Sequence, residues 1–415
     1  MISLKPFRLV VFILIPSLLW AADPLFEPKM DYPKGGTGGY SVFGADLDGD
    51  GDVDLAVGGF GDISVLKNNG DGTFSAPVSY SSAGLSYKIF GADLDGDSDI
   101  DLATANLAAD YVSISKNNGD GSFQAPVSFS LQPTGEYPMT VFGADLDGDG
   151  DVDLATANRD SDNISVLMNN GDRTFQPAVS YSGGFGNRYF SITSADLDGD
   201  LDMDLAAGTR DCGAVSIFKN NGDGSFQPVV HYGAGCNPFS VFALDLDWDG
   251  DLDLATANYY DTNVSVLMNN GDGTYAVAVN YPAGAGSQTI YGADLDVDGD
   301  KDLAVANFLN DNISILMNNG DGSFQTAVNY EAGSSPFSVF AADIDADGDP
   351  DLAVANVGGE GTVSIFMNLT VIICMSKPGD ANGSGGFPNL TDLIYLINYV
   401  FKSGPAPVPI GRCCL

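Results

Sequence analysis

Short apolar runs alternate with polar turns from residue 26 to residue 368, and no stretch between them holds a helical period. In the first unit an SVFGAD segment (41–46) leads into an acidic loop. DLAV (54–57), ISVL (63–66), an NNGDG turn (68–72) and APVSY (76–80) follow. Each apolar segment has the length of a strand, and the Asn-Gly turn reads as a tight hairpin needing positive φ. The pattern predicts four antiparallel strands per unit.

The unit recurs. Acidic strings begin at Asp46, Asp93, Asp145, Asp196, Asp245, Asp294 and Asp343, spaced 47 to 52 residues apart. The ISVL–NNGDG string begins at Ile63 and again at Val112, Ile164, Val215, Val264 and Ile313. A seventh copy begins at Val363 and stops at Asn368, before its turn. Seven four-stranded units predict an all-β fold, a seven-bladed β-propeller spanning 23–368, with an open β-solenoid as the rival. The chain ends favour the ring. FEPKMDY (26–32) matches the outer-strand pattern FSAPVSY (74–80), so the N-terminal segment can complete the last blade and remove its free edge. Small pairs such as Gly44-Ala45, Gly91-Ala92, Gly143-Ala144 and Gly292-Ala293 suit innermost strands crowded around an axis. Before them stand Phe43, Phe90, Phe142, Phe242, Tyr291 and Phe340, with Thr193 the exception, read as packing between blades.

Charge changes the picture. The 415 residues carry 56 acidic and 16 basic side chains, net −40, which argues against nucleic-acid and anionic-membrane partners. One histidine, His231, leaves little room for histidine catalysis. The acid is concentrated in the loops, with Asp at positions 1, 3, 5, 7 and 9 of each. Loop one has Asp46, Asp48, Asp50, Asp52 and Asp54; loop two Asp93, Asp95, Asp97, Asp99 and Asp101; loop three Asp145, Asp147, Asp149, Asp151 and Asp153. Loop four has Asp196, Asp198, Asp200, Asp202 and Asp204; loop five Asp245, Asp247, Asp249, Asp251 and Asp253. Loop six has Asp294, Asp296, Asp298, Asp300 and Asp302; loop seven Asp343, Asp345, Asp347, Asp349 and Asp351. Alternating carboxylates with Gly at position 6 are how a chain wraps Ca2+ in oxygen ligands. Positions 1, 3, 5 and 9 would ligate by side chain and position 7 by its carbonyl; an all-oxygen set disfavours zinc and copper. Ser98 and Leu201 replace the position-6 glycine in loops two and four, a strain if that position needs positive φ.

On the DxDxDGxxDL loops and VSVLxNNGDGTF strands, residues 26–368 resemble the FG-GAP/VCBS repeat family, the propeller of integrin α subunits and of many exported bacterial proteins. The resemblance implies calcium within the blades. It implies no single activity: such propellers serve adhesion, ligand binding, or as companions of catalytic domains.

The two ends differ from the repeats. Lys5 and Arg8, an apolar run over 9–20 and Ala21-Ala22 read as a signal peptide at 1–22, too short to span a bilayer. This predicts a secreted or cell-surface protein. After a linker (369–378), residues 379–415 place Asp380, Asn382 and Ser384 as a further calcium loop, with Asp392 beyond it and an amphipathic helix following. The segment resembles one half of a type I dockerin, which implies a cohesin-like scaffold as partner. Its loop is one residue longer than usual.

The expectation for function is a binding or adhesion module for an extracellular protein or glycan. The alternatives are a polysaccharide lyase or hydrolase acting at the propeller face, and a passive spacer. The turns between strands two and three lie opposite the acidic loops, so Phe60, Tyr111, Arg159, Arg210, Tyr259, Tyr260 and Phe308 form the candidate ligand face. Of Cys212, Cys236, Cys374, Cys413 and Cys414, the first two fall in loops of that same face and are expected to form a disulfide.

Overall fold

The computed structural model describes residues 25–369, apart from 108, 134, 185, 187, 211 and 212. The signal segment, the dockerin-like tail and four of the five cysteines lie outside the described residues. Among the described residues no helix is long and apolar enough to cross a membrane.

Each repeat is an antiparallel four-stranded sheet. In repeat three the strands run outward as Pro138–Ala144, Asp153–Asn158, Asn163–Leu167 and Val179–Ser182. Repeats one and two share one long strand, Val78–Ala92, which is outermost in the first and innermost in the second. The middle strands pack against a neighbouring repeat on both sides, so their DLAV and ISVL runs are buried almost throughout. The outermost strands are largely exposed.

The ring closes as the sequence predicts. Met30–Pro33 pairs with Thr362–Phe366, Met30 opposite Ile365 and Pro33 opposite Thr362. Phe26 bridges Asn368 as Phe74 bridges Asn68 in repeat one. Each innermost strand touches the two beside it, including Ser41–Ala45 against Pro336–Ala342, which excludes the open solenoid.

Two sequence readings change in detail. Three of the glycines before the acidic loops are small because each receives a ring from the preceding repeat, and Gly292 receives Leu244. A Cβ on Gly91 would lie 2.3 Å from Phe43, one on Gly143 2.4 Å from Phe90, and one on Gly44 2.5 Å from Phe340. Those rings are half-buried and line an axial channel rather than a sealed core. The asparagines of the NNGDG turns do not carry the positive φ, which falls on the glycines, Gly70 and Gly72 in repeat one, and on Arg173 in repeat three.

The first asparagine instead joins the repeats. Asn117 Nδ2 donates to the Ile100 carbonyl (3.1 Å) and to the Leu47 carbonyl (2.8 Å) of the preceding acidic loop. Its backbone N–H donates to Asp101. Asn68, Asn169, Asn220, Asn269, Asn318 and Asn368 make the same bridges around the ring. That role explains why the seventh copy runs on to Asn368.

Candidate functional site

The acidic loops are wound by their own carboxylates. In loop one the Gly49 and Gly51 N–H groups donate to Asp46 at 2.8 and 3.0 Å, and the Asp52 N–H donates to Asp50 at 3.0 Å. The same position-1 bond is made by Ser98 to Asp93, Leu201 to Asp196 and Gly348 to Asp343. Position 6 does take positive φ, and Ser98 (74°) and Leu201 (75°) adopt it without glycine. Position 4 takes it too, which sequence reasoning missed. It is glycine in loops one to four, but Trp248, Val297 and Ala346 in loops five to seven.

The five carboxylates of a loop have different surroundings. Asp46, Asp48 and Asp50 each bring an oxygen within 4.8 Å of the others, as do Asp93, Asp95 and Asp97, and Asp245, Asp247 and Asp249. In loops three and four the cluster includes position 9: Asp145, Asp147 and Asp153, and Asp196, Asp198 and Asp204. Position 7 points away: a Cβ on the turn glycine of the same repeat would meet its carboxylate, as Gly70 would meet Asp52 at 2.7 Å. That fits ligation through the position-7 carbonyl. Repeat seven lacks the turn, and there Asp349 is buried with neither oxygen hydrogen-bonded, its pKa pushed up to about 8 chiefly by burial.

Position 9 is fully buried. Asp153 accepts the Asn169 N–H at 2.7 Å and the Leu146 N–H at 3.0 Å, tying its loop to the next strand and turn. Burial pushes Asp54, Asp101, Asp153 and Asp253 up to about 6 and Asp204, Asp302 and Asp351 up to about 7, against the opposing pull of those backbone donors.

These donors fit a hard cation. The cluster is all oxygen, and Asp95 Oδ1, Asp198 Oδ1 and Asp294 Oδ1 are buried with no hydrogen-bond partner. Three loops already hold an internal counter-charge. Lys67 lies 3.0 Å from Asp48, Lys219 lies 3.1 Å from Asp198, and Lys116 contacts both Asp95 and Asp97, the latter at 2.6 Å. The equivalent residue in the other four repeats is Met168, Met268, Met317 or Met367. This lysine-or-methionine alternation directly precedes each bridging asparagine and is legible only once the fold shows what it touches.

On the opposite face the predicted residues mostly converge. Phe60 packs edge-on to Tyr40, which stacks on Tyr87 and meets Phe337. Tyr259 touches Tyr260, Phe308 and Phe239, and Phe308 reaches Phe337. Arg210 lies 5.7 Å over Phe190 and donates to the Tyr260 hydroxyl at 3.2 Å. Arg159 pairs with Asp160 over Tyr137. Tyr111 stands apart, donating to the Ala83 carbonyl. Cys236 is exposed and has no disulfide partner among the described residues; Cys212 lies outside them.

His231 Nδ1 lies 2.8 Å from Ser216 Oγ. The pair sits between strands where other repeats have Ser64–Ser79 or Ser265–Asn280, and Ser216 is fully buried. It is a cross-strand contact rather than a nucleophile with its base.

The FG-GAP-like repeat family matches six overlapping spans that run from residue 46 to residue 354. The chain belongs to the FG-GAP-like repeat family. No curated protein matches the sequence. Among solved structures this FG-GAP-like chain is similar to an Agrocybe aegerita lectin, solved for its specific recognition of non-reducing terminal N-acetylglucosamine. Identity is 24%, the alignment covers 78% of this chain and 87% of that one, and the TM-score is 0.52. It is also similar to BBS1N, solved in complex with ARL6DN (14% identity, 83% and 97% covered, TM-score 0.60). A third likeness is to virginiamycin B lyase from Staphylococcus aureus (12%, 83% and 100%, 0.59). At these identities the likeness concerns the fold.

Proposed function

We propose that this FG-GAP-like propeller is an exported, calcium-stabilised binding module that takes an extracellular protein or glycan on the face opposite its acidic loops. The observation that carries the reading is the connected aromatic surface from Phe60 through Tyr40 and Phe337 to Tyr259 and Tyr260. Phe60 and Tyr260 are more than half exposed at the edge of this cluster, and Arg210 adds a fixed donor. The lectin likeness supports including glycans, and the signal-like residues 1–22 support export. The dockerin-like 379–415 would attach the module to a cohesin-like scaffold.

The test is a glycan array, with N-acetylglucosamine-terminated members, run beside a panel of extracellular-matrix proteins. Tyr260→Ala and Phe60→Ala should weaken any ligand found by about tenfold or more, at unchanged melting temperature. Binding that survives both substitutions moves the ligand elsewhere; no binding to either panel favours the passive spacer.

Calcium belongs to the same proposal. Positions 1, 3, 5 and 9 would supply side-chain oxygens and position 7 its carbonyl, so the ion would supply charge neutralisation and no chemistry. The lysines sort the loops. An ammonium already seated on Asp95 and Asp97 must be displaced before a cation uses those oxygens, so loops one, two and four should bind calcium more weakly than the methionine-bearing loops. Loops two and four also carry Ser98 and Leu201 at positive φ. Lys116→Met is expected to tighten one site by about tenfold, read by calorimetric calcium titration. An unchanged or weakened isotherm would show that the lysine does not compete.

A further inference from the structure

The axial channel has a volume of about 290 Å³ and a mostly apolar lining. It lies between two aromatic collars. One is the Tyr40, Tyr87 and Phe337 cluster at the ligand-face end. The other is the arc Phe142, Phe90, Phe43, Phe340, Tyr291, Phe242, whose rings touch in sequence. The arc is open only at Thr193, the one non-aromatic residue of its set, which leaves a gap beside repeat four.

Between the collars runs a polar ring, one residue per repeat, five positions before each acidic loop. In four repeats its hydroxyl is occupied. Ser41, Ser240, Thr289 and Ser338 accept the backbone N–H of Ile89, Ile290, Val339 and Val42 in the next repeat, at 3.1 to 3.4 Å. Repeats two, three and four break this pattern together. There the residues are Lys88, Thr140 and Ser191. The Thr140 and Ser191 hydroxyl oxygens are buried with no hydrogen-bond partner, and Ser191 itself is 5% exposed. Lys88 lines the channel half-buried, and among the described residues its ammonium has no ion pair.

An ammonium without a counter-charge and two idle hydroxyls on one arc of a mostly apolar channel fit a partner that brings negative charge. Inorganic anions would satisfy the charge and leave the aromatic walls uncovered. A rigid or aliphatic body carrying one carboxylate uses both. We infer that the channel is a binding site for a small organic carboxylate, its charge on Lys88 with hydrogen bonds from Thr140 and Ser191 and its apolar body between the collars. Burial pushes the Lys88 pKa down to about 8, so the ammonium form still predominates at neutral pH, and a bound carboxylate would raise that value.

The experiment is calorimetry on the full chain in calcium with benzoate, phenylacetate and hexanoate, and with neutral benzamide as the control. At least one carboxylate should bind one per chain, and benzamide about tenfold more weakly or not at all. Lys88→Met keeps the length of the stem in its apolar surroundings and should weaken the carboxylate by about tenfold or more. Thr140→Val serves as a second variant whose smaller loss is read even if Lys88→Met folds poorly. Tyr260→Ala should leave carboxylate binding unchanged, which separates this site from the aromatic face. No binding of any carboxylate at millimolar concentration, or equal binding by wild type and Lys88→Met, overturns the proposal.

Discussion

Chelation with EDTA will lower the melting temperature by more than about 10 °C at pH 8. The reasoning begins with crowding. Each loop holds five aspartates, and among the described residues the buried carboxylate at position 9 has no cationic partner in the methionine-bearing repeats. A site with free calcium at a hundred times its Kd contributes about 2.7 kcal/mol, so the four methionine-bearing loops together supply about 11 kcal/mol, enough for a shift of this size. The pH dependence should reverse with chelation. The position-9 carboxylates have folded pKa values raised to about 6 or 7, above an unfolded value near 4. A raised folded pKa means the native state holds the proton more tightly. That contribution is complete below about pH 4 and is lost as pH rises through 6 to 7. The calcium-free protein should therefore melt higher at pH 5 than at pH 8. With calcium saturating, the order should invert, because the ligands must be ionised to bind. Trp248 supplies an optical readout: its indole N–H donates to Asp300 of the next loop, and the other tryptophan, Trp20, lies in the segment proposed as a signal peptide. A melting temperature indifferent to EDTA at pH 8, with no change in tryptophan emission, would remove calcium from the account.

Much of this fold was legible because a propeller repeat writes the same physics seven times. The strand periodicity, the acidic spacing and the match of 26–32 to 74–80 each follow from local chemistry that recurs. What was not legible depended on neighbours from other repeats. Asn117 reads as a turn former in isolation and is an inter-repeat bridge in the structure, because its Leu47 partner stands 70 residues away. Phe43 reads as core, yet its ring covers Gly91 and faces the channel. Lys88 is one residue of an innermost strand and carries no motif. Its meaning comes from six equivalent positions that the ring brings together and the sequence keeps about 50 residues apart. The lysines at 67, 116 and 219 were hidden for the same reason, since nothing local tells a solvated lysine from one folded onto an acidic loop. The disulfide expected at Cys212 and Cys236 remains a proposal, resting on the two loops sharing a face.

Phe26→Ala will cost about 3–5 kcal/mol, and deleting residues 26–33 will cost more and cause aggregation. Phe26 is 2% exposed, edge-on to Tyr330 at 5.3 Å and Phe366 at 6.1 Å, in the place that Phe74 fills for repeat one. The strand behind it is anchored at several points. Tyr32 packs on Phe74, Ser364 Oγ donates to Asp31 at 2.6 Å, and the fully buried Lys34 meets Asp62 at 2.7 Å. Deleting 26–33 removes the Tyr32 and Asp31 contacts and frees the Thr362–Phe366 edge, which leaves the ends of the ring joined only by the innermost strands and the Asn68 bridge. A deletion inside an ordinary outer strand, such as Val279–Pro282, removes a similar length of exposed strand without opening the ring, and is the proper control. The measurement is thermal unfolding with light scattering for both deletions. The N-terminal deletion should melt lower and scatter earlier than the control. Equal behaviour of the two would show that closure adds nothing beyond the strand itself, and that each repeat is stabilised by its neighbours alone.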